Sequence, residues 1–131
     1  MTDRIVIVPT YNEKENIEQL IRSIFGLRVA FHVLIIDDNS PDKTYEIVED
    51  LQKEFPGQLH IIKRKGKLGL GTAYIKGFEW ALENGYQYVF EMDADFSHDP
   101  KDLVRLYEAC EKQGGDVAIG SRYISGVNVV N

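Results

Sequence analysis

Asp93 and Asp95 stand one residue apart at the end of the apolar run 88–93, inside the segment EMDADFSHDP (91–100). Side chains two positions apart on extended backbone point to the same side. Paired carboxylates at a strand end need solvent, a base or a metal ion as their counterpart. Two hard oxygen donors suit Mg2+ or Mn2+, which keeps waters and takes further ligands from substrate phosphates. The alternative is a pair of solvated turn carboxylates, one of them capping the next helix. Asp99, directly before Pro100, already offers that cap. Ser97 can add a hydroxyl or hold a water beside the pair, and His98 reads as a loop histidine.

Other polar clusters raise the same choice between chemistry and structure. In PTYNE (9–13), Tyr11 can stack on a base or pack on its own loop, and Glu13 can meet a ligand or complement a helix dipole. In DDNSPDKT (37–44), one of Asp37 and Asp38 can brace the turn while the other accepts from base or ribose donors; pure turn chemistry is the alternative. KRKGKLGLG (63–71) is a cationic loop leading into a helix start, which favours anions, with Lys67 the substrate-binding candidate. Lys63, Arg64, Lys65 and Lys67 also fit a solvated basic turn. Arg122, in GSRY (120–123), can clamp phosphate with two parallel hydrogen bonds or stand as an exposed loop arginine.

The elements that must position these residues alternate along the chain. RIVIV (4–8), VLIID (33–37), LHIIK (59–63), YVFEMD (88–93) and DVAIG (116–120) are short apolar runs with little alternation. Such runs predict strands covered on both faces, as in parallel sheets. Between them lie helical patterns. Asn12 with Glu15 offers a capping box for the first, whose stripe is Ile17, Leu20, Ile21 and Ile24. Ser40-Pro41 marks the second start, with Val48, Leu51 and Phe55 inward and Pro56-Gly57 as stop. The third spans about Gly71 to Asn84, with Ala73, Phe78, Ala81 and Leu82 inward and Gly85 as stop. The fourth opens at Asp99-Pro100 with Leu103, Leu106, Tyr107 and Cys110 inward, which makes Cys110 a core thiol.

This β-α order, without repeat or linker, predicts an α/β fold: a Rossmann-like, mostly parallel sheet with helices on both faces. All five polar clusters then fall at carboxyl ends of strands, where open parallel sheets bind ligands. The length of 131 residues suits one domain. A net charge of −6 argues against a nucleic-acid partner, and a single cysteine excludes a disulfide framework. No stretch approaches the ~18 consecutive apolar residues of a membrane span.

Taken together, VPTYNEKENI, VLIIDDNSPDKT, KLGLGTAYIKGF, MDADFSHDP and GSRY resemble family 2 glycosyltransferases of the GT-A fold, most of all the polyprenol (dolichyl) monophosphate mannose synthases. The resemblance runs over nearly the whole chain. It implies a nucleotide-sugar donor, GDP-mannose first, and a polyprenyl phosphate acceptor. It places Pro9, Tyr11 and Glu13 along the nucleotide, Ile36 and Asp38 beside base and ribose, and Arg122 toward phosphate. Asp93, Ala94 and Asp95 match the family's metal-binding motif, for Mg2+ or Mn2+. Relatives that carry Gln at the Ser97 position use it as a further ligand. Relatives also continue past the position of Asn131, so the resemblance implies a C-terminally incomplete domain, the nucleotide-sugar-binding part of a longer catalytic one. Activity of that part alone is left open.

The expected chemistry follows from charge. Leaving of the nucleoside diphosphate builds negative charge, which a divalent ion held by Asp93 and Asp95, with Arg122 nearby, offsets. A lipid phosphate acceptor is already anionic, so a single inverting displacement needs no base from this chain. A UDP-sugar donor with a sugar hydroxyl acceptor is the alternative and does need one. A receiver-like signalling domain is the rival without enzyme activity, but its acids follow other strands. A dinucleotide oxidoreductase wants GxGxxG after the first strand, where PTYNE has no glycine. The expected location is cytoplasmic, peripheral at the inner face of the membrane, with any anchor supplied by a later segment or another chain.

Overall fold

The computed structural model describes residues 3–66, 70–95, 99–112, 122–124 and 127–129. Four strands, β1 (Arg4–Thr10), β2 (His32–Asp37), β3 (Leu59–Lys63) and β4 (Tyr88–Glu91), form the parallel part of one sheet. Two short strands, β5 (Arg122–Ile124) and β6 (Val127–Val129), extend it antiparallel, giving the order β3-β2-β1-β4-β6-β5. The apolar runs form strands because nearly every side chain in them is buried. All six residues of β2 and all four of β4 are inaccessible to solvent or nearly so. The expected run DVAIG lies outside the described residues.

Helices α1 (Ile17–Phe25), α2 (Thr44–Glu54), α3 (Leu70–Glu83) and α4 (Asp102–Lys112) cover both faces unequally. Alternation of side chains along each strand divides the core in two. Val6, Val8, Val33, Ile35 and Phe90 pack with Ile17, Leu20, Ile21, Ile24, Val48, Leu51, Leu103 and Leu106, so α1, α2 and α4 share one face. Ile5, Ile7, Leu34, Ile36 and Val89 pack with Ala73 and Ala81 of α3, which covers the other. Gly77 lets α3 lie close to the sheet. A Cβ there would stand 2.6 Å from Ile7 Cγ2 and 2.9 Å from Ile36 Cδ1.

Helix boundaries match the stop signals better than the start signals. Gly57 (φ 77°) and Gly85 (φ 81°) take the left-handed conformation expected of helix stops. Asn12 does not cap α1. It is itself left-handed (φ 56°), and its side-chain oxygen accepts from the Asp42 N–H at 3.2 Å, while Asn16 occupies the cap position. Ser40 does not cap α2 either, which begins four residues later; its hydroxyl is turned to Asp37. Leu82 is 51% exposed and not inward, while its neighbour Ala81 is fully buried. The side chain of Cys110 lies outside the described residues.

Candidate functional site: the carboxyl rim of the sheet

The β1–β2 ladder runs to Thr10 opposite Asp37, whereas the β1–β4 ladder ends at Ile7 opposite Glu91, closed by the Met92 N–H donating to Ile7 O at 3.0 Å. Ile7 therefore turns its backbone groups toward β4, and Pro9, two residues on, turns the same way. Proline has no N–H to donate, so pairing with β4 stops there and a crevice opens between the ends of β1 and β4. The connections leave to opposite sides at this point: β1 leads through α1 to β2, and β4 arrives from α3. Such a switch point is where open α/β sheets take ligands.

Two loops on this rim are stitched together by side chains. Asp37 is fully buried and accepts from the Thr10 hydroxyl (2.7 Å), the Ser40 hydroxyl (2.6 Å) and the Ser40 N–H (3.0 Å). It is the brace of the turn, a role left open between Asp37 and Asp38. Asn12 N–H donates to Ser40 Oγ and Glu13 N–H to Thr44 Oγ1, both at 3.0 Å. Asp42 accepts from Lys14 N–H and from the N–H and hydroxyl of Thr44. Burial pushes the Asp42 carboxyl up, but these hydrogen bonds outweigh it and hold the group below the usual carboxylate range. Asp42 and Thr44 were not singled out from sequence, and Ser40 was read only as a helix start; the polar density of DDNSPDKT was the available signal.

Glu13, at the turn before α1, reports the convergence of the acids. Burial raises its pKa, a hydrogen bond from Asn16 pulls it back, and the charges of Asp95, Asp42 and Asp93 raise it again. Glu13 thus sits in an acidic neighbourhood to which Asp42, after β2, contributes along with Asp93 and Asp95, after β4. Asp93 is half-buried and accepts from the Tyr74 hydroxyl at 3.1 Å; Ala94 is buried and Asp95 exposed. Among the described residues no group of three or more His, Cys, Asp or Glu side chains is arranged to hold a metal ion. Two protein carboxylates do suit a Mg2+ or Mn2+ ion whose other ligands are phosphate and water.

The remaining predicted residues divide. Pro9 and Tyr11 border the crevice, Tyr11 exposed. Asp38 also lies on the rim, but its carboxylate is gripped by Arg64, with Nε to Oδ1 at 2.6 Å and an NH2 nitrogen to Oδ2 at 2.9 Å. Arg64 is thus an ordered partner, not a solvated turn cation. The side chain of Ile36 is fully buried under α3 and cannot line an open pocket; only its backbone borders the rim. Arg122 was placed on the turn after a fifth parallel strand. Instead it lies within β5, paired with Val129, which in turn pairs with Phe90 of β4. Lys67 and Ser97 lie outside the described residues.

A family model, Glycosyl transferase family 2, matches residues 5–131. The chain belongs to glycosyl transferase family 2. Within this family it is 44% identical over 127 residues to a polyprenol monophosphomannose synthase of Mycolicibacterium smegmatis, covering 97% of this chain and 48% of the relative. An undecaprenyl-phosphate mannosyltransferase of Micrococcus luteus is 42% identical, with 97% and 51% covered. A dolichol-phosphate mannosyltransferase of Pyrococcus furiosus is 42% identical, with 96% and 35% covered. This family 2 chain therefore spans about half or less of the length of these relatives. Among solved structures, a mannosyltransferase from Pyrobaculum calidifontis in complex with GDP-Man and Mn2+ superposes with a TM-score of 0.60 at 28% identity, over 71% of this chain and 27% of that one. S. aureus TarS 1-349 superposes with a TM-score of 0.65 at 26% identity, over 86% and 33%. The sheet is the one expected of a GT-A glycosyltransferase.

Proposed function

We propose that this chain is the donor-binding part of an inverting mannosyltransferase that moves mannose from GDP-mannose to a polyprenyl phosphate. The observation that carries the reading is the acid pair Asp93 and Asp95 just past the end of β4 on the carboxyl rim, two hard oxygen donors with Asp93 fixed by the Tyr74 hydroxyl. Supporting it are the mannosyl- and polyprenyl-phosphate chemistry in the names of three relatives and the GDP-Man and Mn2+ held by a structural neighbour.

Asp93 and Asp95 would hold Mg2+ or Mn2+ in this reading. When bound, the ion supplies positive charge to the departing diphosphate. The chain's own residues do the rest of the positioning. Pro9 and Tyr11 flank the nucleoside, and Asp38, fixed by Arg64, offers acceptor lone pairs to base or ribose donors. Lys67 and Arg122 are proposed to meet phosphate. A polyprenyl phosphate is already anionic, so no side chain of this segment has to remove its proton. The anomeric centre inverts in a single displacement. No helix among the described residues is long and apolar enough to cross a membrane. In this proposal the domain meets the lipid from the cytoplasmic side. Anchoring comes from a further segment or another chain.

The test is calorimetric titration of GDP, UDP and their mannose and glucose conjugates, with and without Mn2+. GDP-mannose binding is expected to be tightest and to depend on Mn2+. Asp93→Asn with Asp95→Asn should abolish that dependence and lower kcat of the full-length enzyme by about 100-fold or more. Preference for UDP would favour the other donor class, which a TarS structure in complex with UDP also represents. Metal-independent binding in the parent protein would overturn the role of the acid pair.

A further inference from the structure

Asp93 is held from a direction the motif itself does not reveal. Tyr74, in the second turn of α3, donates its hydroxyl to Asp93 Oδ1 at 3.1 Å. Asp93 also adds its charge to the acidic neighbourhood of Glu13. The carboxylate is thus tied at the carboxyl rim to a phenol from α3. The terminal torsion of an aspartate is broad, so a donor on one oxygen narrows the direction in which the other presents its lone pairs.

The reach of Tyr74 depends on how deep α3 sits. Three residues on, and so on the same helical face, is Gly77. Its hydrogen faces Ile7 and Ile36 where a Cβ would stand 2.6 Å and 2.9 Å from their methyl carbons. Any side chain there forces α3 away from the sheet or displaces two strand residues. A second tether fixes the start of the same helix: Arg64 donates to Thr72 Oγ1 at 3.0 Å while holding Asp38. One helix end is therefore linked both to the acid at the end of β4 and to the acid at the end of β2.

We propose that Tyr74 is a positioning residue for Asp93, orienting the carboxylate that holds the divalent ion, and that Gly77 sets the helix depth that lets it reach. This rests on the reading of Asp93 and Asp95 as the ion's ligands. Partners of ligating carboxylates typically change metal affinity by about 10–100-fold when removed.

The experiment measures Mn2+ affinity by electron paramagnetic resonance in the presence of GDP, and GDP affinity in chelator, on the full-length chain. Tyr74→Phe removes one oxygen and keeps the ring. It should weaken Mn2+ binding by about 10-fold or more, leave GDP binding in chelator unchanged and keep the thermal midpoint close to the parent's. Gly77→Ala keeps the hydroxyl but lifts the helix, and should weaken Mn2+ in the same direction while lowering the midpoint. Parent-like Mn2+ affinity in Tyr74→Phe, with binding lost in Asp93→Ala, overturns the role of Tyr74. Parent-like affinity in Gly77→Ala overturns the role of helix depth. Unchanged Mn2+ affinity in Asp93→Ala instead removes the underlying ligand assignment, so the two failures are distinguishable.

Discussion

At the residue scale, the rim divides into side chains that are consumed by structure and side chains that are left for a ligand. Asp37 is consumed: it accepts three hydrogen bonds and has no exposure. Asp37→Ala would strand the Thr10 and Ser40 hydroxyls, and hydrogen bonds to a charged acceptor contribute about 1.5–3 kcal/mol each. Urea denaturation should show a loss of about 3 kcal/mol or more. Asp38 is half consumed, since Arg64 occupies both oxygens yet each keeps lone-pair capacity. Both side chains of this pair are only 9% exposed. Arg64→Ala leaves a nearly buried charge alone and should cost about 3–5 kcal/mol. Arg64→Lys, which keeps the charge but not the two-pronged geometry, should recover part of that stability.

At the element scale, the alternation of apolar runs and helical stripes was legible because it is set by periodicity. Ile17, Leu20, Ile21 and Ile24 are all fully buried, as their spacing demands. What periodicity could not supply was the use of polar side chains between elements. Asn12 looked like a helix cap and instead joins two loops, because the chain turns once more before α1 begins. The pair of acids at 93 and 95 was visible from type and spacing, but Tyr74 and Arg64 were not. Their partners are 19 and 26 residues away, and only folding brings them together. Leu82 failed for a different reason: it lies at the margin of the buried stripe of α3, 51% exposed, beside a fully buried Ala81. Leu82→Gln should therefore change stability by less than about 0.5 kcal/mol in thermal or chemical denaturation.

At the scale of the whole molecule, the proposed ligand rim and a pair of buried histidines occupy opposite ends of the sheet. His32 begins β2 and His60 lies near the start of β3, in a cluster with Trp80 and Tyr86 far from the acidic rim. Their rings are 6.2 Å apart, and His32 Nδ1 shares a 2.6 Å hydrogen bond with the Tyr86 hydroxyl. Burial lowers the pKa of His32, with the charge of His60 adding to it, and burial lowers that of His60 against a hydrogen bond that its ring donates to the Gly57 backbone. A lowered folded value means that the unfolded chain takes up protons first, near the ordinary imidazole pKa of about 6.5. The stability these neutral rings contribute is thus present above about pH 6.5 and is lost as pH falls through the folded values. Melting curves recorded between about pH 7.5 and 5 should show a falling midpoint, and His60→Gln should flatten the decline.

The uneven clothing of the sheet has a consequence during synthesis. β1, β2, β3, α1 and α2 precede residues 70–83 in the chain, yet among the described residues α3 is the helix that covers Ile5, Ile7, Leu34 and Ile36. Until α3 emerges, a hydrophobic plane stands bare on the nascent polypeptide. Chaperone engagement should accordingly be strongest for chains stalled shortly before α3 clears the exit tunnel, and should fade once Ala73, Gly77 and Ala81 can seat.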